Sequence, residues 1–240
     1  TTPYGKTNED RTLQLVYLSA PENLAQLETM RKDHLRSIGY AEGAKETTKE
    51  FSIVWLSYNV HGNESTSTEA ALKTLHTLVT EKQDWLENLI VIMDPCINPD
   101  GRDRYVNWYN QVKSTPFDSS PLANEHFEDW PGGRYNHYYF DLNRDWAWLS
   151  QKESQQRLPN YLAWMPQIHV DFHEQGVDSP YYFAPAVEPY HEVITDFQRD
   201  FQATIAKNHS RYFDKEGWLY FTDEVFDLLY PGYGDTYPMF

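Results

Sequence analysis

The sequence predicts an α/β domain, and three observations predict it. Short apolar runs of β type alternate with helical patterns, two of those runs are apolar almost without interruption, and polar clusters fall at the ends of the runs. Leu13 to Leu18 reads as the first strand. Pro21-Glu22-Asn23 then opens a helix whose apolar positions Leu24, Leu27, Met30 and Leu35 recur at spacings of three to five. Gly43 to Lys49 is a loop. Phe51 to Leu56 is nearly continuous in apolar residues, as expected of a strand covered on both faces, and it leads directly into His61-Gly-Asn-Glu64. Ala70, Ala71, Leu72, Leu75, Leu78 and Val79 mark an amphipathic helix, and Leu89 to Met93 another central strand. From Asp94 to Trp148 periodicity fails while Asn, Asp, Gly, Pro and aromatic residues accumulate, which predicts a long functional loop region. Order resumes with a helix near Gln151 to Gln156, a strand Ile168 to Phe172, a strand Tyr181 to Ala184 and a long helix from His191 to Tyr212. No repeat, low-complexity tract or linker divides the chain, so residues 1–240 are expected to form a single domain.

Composition narrows the function classes. Twenty basic against thirty-six acidic side chains give a net charge of -16, which would repel a phosphate backbone and argues against nucleic acid as partner. No apolar run approaches the ~18 residues of a membrane span. A single cysteine, Cys96, excludes an internal disulfide framework and a cysteine-rich zinc cluster, and its neighbours Pro95 and Ile97 suggest a buried small hydrophobe. The chain opens on Thr1-Thr2-Pro3 with no visible signal peptide, so localisation is left open, leaning to a secreted or periplasmic setting. It closes on Tyr237-Pro-Met-Phe240, a cluster on which domains rarely stop, so a truncated C-terminus is expected.

The chemistry starts at the strand ends, where open α/β sheets gather their ligand sites. His61-x-x-Glu64 lies between a buried strand and a helix, where a turn can aim both side chains at one centre and Gly62 permits the tight backbone. By itself the pattern reads equally as a polar turn with a glutamate favouring a helix N-terminus. The second cluster is Ile168-His-Val-Asp-Phe-His173. Two histidines four apart suit a zinc-binding helix, but Pro166, Ile168 and Val170 favour a strand. Four residues of strand span roughly 13 Å, too far for both rings to reach one ion, since such bonds are about 2 Å long. His173, at the strand's carboxyl end, is therefore the ligand candidate, and His169 a hydrogen-bonded core histidine. His61, Glu64 and His173 together make the three-ligand set of a catalytic zinc with one position open for water. The third cluster, Asp141-Leu-Asn-Arg144, reads alone as an ordinary polar turn.

In company, these motifs resemble a known family. His61-Gly-Asn-Glu64, Asn98-Pro-Asp-Gly101, Asp141-Leu-Asn-Arg144 and Asp171-Phe-His173, in this order among hydrophobic strands, are similar to the zinc metallocarboxypeptidases. The resemblance implies a mixed, mostly parallel central sheet with helices on both faces, lacking the last part of the domain. It implies one zinc ion on His61, Glu64 and His173, with Asp141 hydrogen-bonding the outer nitrogen of the first zinc histidine. Asn143 and Arg144 match the pair that grips the substrate's terminal carboxylate. Arg134, nine residues before Asn143, matches the arginine that polarises the scissile carbonyl, with Arg102 and Arg104 as rivals. Asn98 to Gly101 is read as a turn lining the site, and Tyr237 as a loose match to a mobile tyrosine covering bound substrate.

The activity so implied is that of a metallocarboxypeptidase, which hydrolyses the C-terminal peptide bond of peptide or protein substrates through a zinc-activated water. The family's general base is a glutamate on a late strand, expected past Phe240, which would leave this chain inactive as it stands. Glu174 is not assigned that role, because the neighbour of a ligand at a strand end should point away from it. Two other readings fit the residues: an N-acyl amino acid deacylase of the same superfamily, and a non-catalytic protein that holds peptide termini.

Overall fold

In the computed structural model, which describes residues 1–240, five strands join into one sheet. They are β1 (Thr2–Lys6), β2 (Thr12–Leu18), β3 (Ser52–Tyr58), β4 (Leu89–Asp94) and β5 (Ile168–Phe172), in the order β1-β2-β4-β3-β5. β3 runs parallel to both β4 and β5, whereas β2 pairs antiparallel with β1 and with β4. The sheet is therefore mixed, and the expected parallel character is confined to the β4-β3-β5 half. The reason lies in connection length: a tight turn joins β1 to β2, and so short a link can only reverse the chain. β1 itself escapes the sequence reading because Pro3 and Gly5 are poor strand formers and its residues are largely exposed, as tolerated at a sheet edge.

Five helices accompany this sheet: α1 (Pro21–Ala25), α2 (Leu27–Ser37), α3 (Thr66–Thr80), α4 (Pro99–Val112) and α5 (Lys152–Trp164). They lie on both faces. On one face Leu56, Tyr58, Val91 and Met93 form a buried cluster with Ala71 and Leu78 of α3. The alternate positions Ile53, Trp55, Ile90 and Ile92 are fully buried on the other, where the Trp55 ring meets Tyr161 of α5 at 5.1 Å. This double burial is why β3 and β4 read as continuous apolar runs. His34 of α2 ties to the Met165 carbonyl just past α5 at 2.7 Å.

Three of these five helices differ from expectation. The first is broken at Gln26 (φ −123°), which leaves Leu24 at 42% exposure while Met30 is fully buried. α4 lies inside the segment read as aperiodic. Asn98 caps it by accepting from the Gly101 amide at 2.9 Å and Pro99 occupies its first turn, so Asn98-Pro-Asp-Gly101 is a helix start rather than a free-standing turn. Its apolar stripe is aromatic: Tyr105, Trp108 and Tyr109 contact one another ring to ring. α5 runs on past Gln156 to Trp164 with Pro159 inside it.

By its internal contacts the chain divides into two compact units, residues 1–142 with 149–173, and residues 143–148 with 174–240. The elements above belong to the first. The second holds two short parallel pairs, β6 (Tyr181–Tyr182) with β8 (Tyr220–Phe221) and β7 (Val187–Tyr190) with β9 (Asp227–Leu228). It also holds the long helix α6 (Asp196–Glu216). A capping box of Thr195 and Gln198 sets the start of α6, later than the His191 expected, and Gly217 ends it in the left-handed region at φ 71°. Ala186, Ile194 and Leu228 form its buried cluster. No helix is long and apolar enough to cross a membrane.

Candidate metal centre

Register delivers the first pieces of the site. Tyr58 and Phe172 are paired positions on adjacent parallel strands, so the chain leaves β3 and β5 side by side at their carboxyl ends. His173 follows Phe172 directly, and His61 comes three residues after Tyr58. Between them Asn59, fully buried with φ 57°, holds the turn. Its side-chain NH₂ donates to the carbonyls of His61 at 2.7 Å and Glu64 at 3.0 Å, and its backbone N–H donates to Ser67 Oγ at 2.9 Å. Gly62 is required here by close approach: a Cβ would overlap the backbones of Gly101, Arg102 and Gly133. Glu128 fastens the 128–134 segment to the turn, accepting from Asn63 Nδ2 at 2.8 Å and from the Gly133 amide.

His61, Glu64 and His173 converge, with their donor atoms all within 4.8 Å of one another. His61 Nδ1 lies 2.8 Å from Glu64 Oε1, His173 Nδ1 lies 3.1 Å from Glu64 Oε2, and the two Nδ1 atoms are 3.2 Å apart. Tetrahedral zinc ligands with bonds of ~2.0–2.1 Å stand roughly 3.3 Å from one another, so this spacing fits a zinc ion. Each imidazole turns its other nitrogen to a carboxylate: His61 Nε2 to Asp141 Oδ1 at 3.0 Å, and His173 Nε2 to Asp171 Oδ2 at 2.9 Å. Arg134 joins the same cluster, donating from Nε to Asp141 Oδ2 at 3.1 Å and reaching Glu64 Oε1 at 3.9 Å through Nη1. Glu64, Asp141 and Asp171 outnumber the positive charges of Arg134 and His173, which leaves net negative charge that a divalent cation would reduce.

The electrostatics follow from that crowding. Burial raises the Glu64 pKa, but the hydrogen bonds with His173 and His61 more than offset it, and the carboxyl titrates at about 2. For Asp171, burial is likewise outweighed, by the His173 charge and hydrogen bond, and its pKa is lowered. His169 stands outside the cluster. Its Nε2 lies 2.9 Å from Ser57 Oγ, and burial pushes its pKa down to about 4, so it is the neutral core histidine expected.

The rival arginines are engaged elsewhere. Arg104 donates to the carbonyls of Gly132, Tyr135 and Asn136, and Arg102 to the Ser65 carbonyl and Glu69. Asn143, Arg144 and Tyr237 belong to the second unit, where segment 232–237 gathers them. Asn143 Oδ1 accepts from the Gly234 amide at 2.7 Å, and the exposed Arg144 guanidinium sits 4.2 Å over the Tyr233 ring. Tyr237 stacks on Trp146 at 5.6 Å. Glu174 is exposed. Cys96 is partly buried and donates weakly to Asn59 Oδ1 at 3.4 Å, and burial pushes its thiol pKa up to about 12. Sequence reasoning missed Asn59, Glu128 and Asp171. Only Asp171 carried a signal, its place two residues before His173 on the same strand face.

Comparison with known proteins shows a related fold. Among solved structures, the chain is similar to carboxypeptidase A from Helicoverpa armigera, with TM-score 0.63, 16% identity, and coverage of 99% of this chain and 56% of that one. A metallo-carboxypeptidase from Burkholderia cenocepacia gives TM-score 0.63 and 16% identity, covering 98% of this chain and 51% of that one. Bovine thrombin-activatable fibrinolysis inhibitor, solved with tick carboxypeptidase inhibitor, gives TM-score 0.59 and 14% identity, covering 98% and 73%. At these identities the likeness is one of fold, and the chain spans about half the length of the first two structures. A search of curated proteins finds no significant match to the sequence. The family model described as zinc carboxypeptidase matches residues 1–164, and the chain belongs to that family.

Proposed function

We propose that this chain carries the catalytic centre of a metallocarboxypeptidase, which hydrolyses the C-terminal peptide bond of peptides and proteins with one zinc ion held by His61, Glu64 and His173. The observation that carries the reading is the convergence of two imidazole Nδ1 atoms and one carboxylate at 2.8–3.2 Å, with a carboxylate behind each ring. A bound zinc ion supplies a Lewis acid and lowers the pKa of water toward ~7.

The remaining roles fall to the chain's own side chains. Arg134 is held by Asp141 at the rim of the donor cluster, where a guanidinium can stabilise negative charge developing on a carbonyl oxygen. Arg144 is exposed and backed by the Tyr233 ring, which suits it to a bidentate grip on a terminal carboxylate. Asn143, fixed by Gly234, buttresses the same contact, and Tyr237 closes over substrate from the same segment.

The test, made on the chain extended past Phe240 so that the expected general base is present, is cleavage of a blocked dipeptide with a free C-terminus, set against the same peptide amidated at its C-terminus and against an N-acyl amino acid. The proposal expects hydrolysis of the first only, lost on chelation and restored by zinc. Preference for the N-acyl amino acid would make the protein a deacylase, and binding of the free peptide without turnover would make it a non-catalytic binder.

A further inference from the structure

We propose that Asp171 is the positioning residue for His173, so that each of the two histidines in the cluster has its own carboxylate anchor. The inference rests on the proposed ligand set and goes beyond it, because the resemblance to known carboxypeptidases implies such a carboxylate only for His61. Asp171 lies two residues before His173, the last of β5 facing the same side as His169 and His173. Its carboxylate is 5% exposed and lies 2.9 Å from His173 Nε2.

The two histidines need anchoring for different reasons. His61 is 3% exposed and sits in a turn braced by Asn59 and Gly62, so its surroundings limit its rotation. His173 projects from the carboxyl end of an edge strand, and its side chain is 26% exposed. Nothing in its own backbone dictates which ring nitrogen faces Glu64. A carboxylate accepting from Nε2–H fixes both the tautomer and the ring plane, and this presents Nδ1 to the centre. A buried carboxylate is costly unless it is hydrogen-bonded, and here the ring N–H supplies that bond. Asp141 serves a second partner, since Arg134 bonds its other oxygen at 3.1 Å, whereas Asp171 is free of such a tie to an arginine side chain at hydrogen-bond distance.

The experiment is Zn²⁺ and Co²⁺ affinity by competition with a chelator for the parent chain, Asp171→Ala, Asp171→Asn and His173→Ala, with far-ultraviolet circular dichroism as the check on folding. Loss of an anchor behind a ligating histidine typically costs ~10–100-fold in metal affinity, and that loss is expected for Asp171→Ala. Asp171→Asn, which keeps an oxygen acceptor, should recover part of it, and the visible Co²⁺ spectrum should shift in the alanine variant and return toward the parent in the asparagine one. A merely structural role would leave that spectrum unmoved. If Asp171→Ala fails to fold, the asparagine variant carries the test through its affinity and spectrum. Parent-like affinity and an unmoved spectrum in the aspartate variants, with metal lost in His173→Ala, would overturn the anchor. Metal retained by His173→Ala would overturn the ligand assignment instead.

Discussion

Tyr58 and Phe172 are register partners on β3 and β5, and their rings stack 4.3 Å apart within 5° of parallel. Phe172 immediately precedes His173 and Tyr58 lies three residues before His61, so the pair sets the separation of the chain segments that deliver them. Phe172→Ala should cost about 2–3 kcal/mol, below the ~3–5 of a fully buried phenylalanine because Phe172 is only partly buried. It should also weaken zinc binding. Urea unfolding and a zinc titration on the same variant would check both, and parent-like affinity would mean that the stack does not position the ligands.

In the enzyme extended past Phe240, Arg134→Ala should lower kcat by about 10²–10³ while zinc content holds, the usual cost of one oxyanion-stabilising donor. Arg104→Ala should act mainly on stability, since its guanidinium bonds three backbone carbonyls of the 132–136 segment. A kcat loss in Arg104→Ala with none in Arg134→Ala would reassign the role.

Arg144→Ala should weaken binding of a small free carboxylic acid by about 1.5–3 kcal/mol, the range for a hydrogen bond to a charged group. Calorimetry reads this directly, and unchanged binding would remove Arg144 from carboxylate recognition. Tyr233→Leu, which removes the ring under the guanidinium, should have a smaller effect in the same direction.

Asp94 predicts a pH dependence of folding. Its carboxyl is fully buried at the end of β4, accepts from the Tyr4 hydroxyl at 2.8 Å, and is pushed up by burial to about 7 despite the opposing influence of Tyr4 and Arg157. The folded state therefore keeps a proton that the unfolded chain, with an ordinary carboxyl pKa of ~4, has lost. Asp94's contribution is fully present below pH ~4 and is lost as pH rises through 7, at up to about 1.4 kcal/mol per unit. Urea unfolding of the metal-free chain between pH 5 and 8 should show this slope in the parent relative to Asp94→Asn. Equal slopes would mean that Asp94 is ionised in the folded state.

The legible parts of this protein were those in which one strand carries its own environment. β3 and β4 are buried on both faces and announce it in Ile53-Val-Trp-Leu56 and Ile90-Val-Ile-Met93. β5 could be placed because Pro166 and two β-branched residues outweigh the helical spacing of His169 and His173, and this separated a core histidine from a ligand candidate. α4 was lost because its apolar stripe is made of Tyr and Trp, residues that also fill loops, although Asn98 and Pro99 carried its start signal. β1 was lost because its strand status comes from pairing with β2 rather than from its own residues. Asn59 and Glu128 show the limit for the site. Each acts through a partner that the fold brings to it, and neither composition nor spacing names that partner.

Every proposed role depends on the ligand set, so the deciding measurement is zinc stoichiometry by metal analysis of the purified chain and four variants. One zinc per chain is expected, abolished in His61→Ala, Glu64→Ala and His173→Ala and retained in His169→Ala, whose ring lies against Ser57 outside the cluster. Full zinc occupancy in any of the first three, or its loss in His169→Ala with the fold intact, would contradict the assignment.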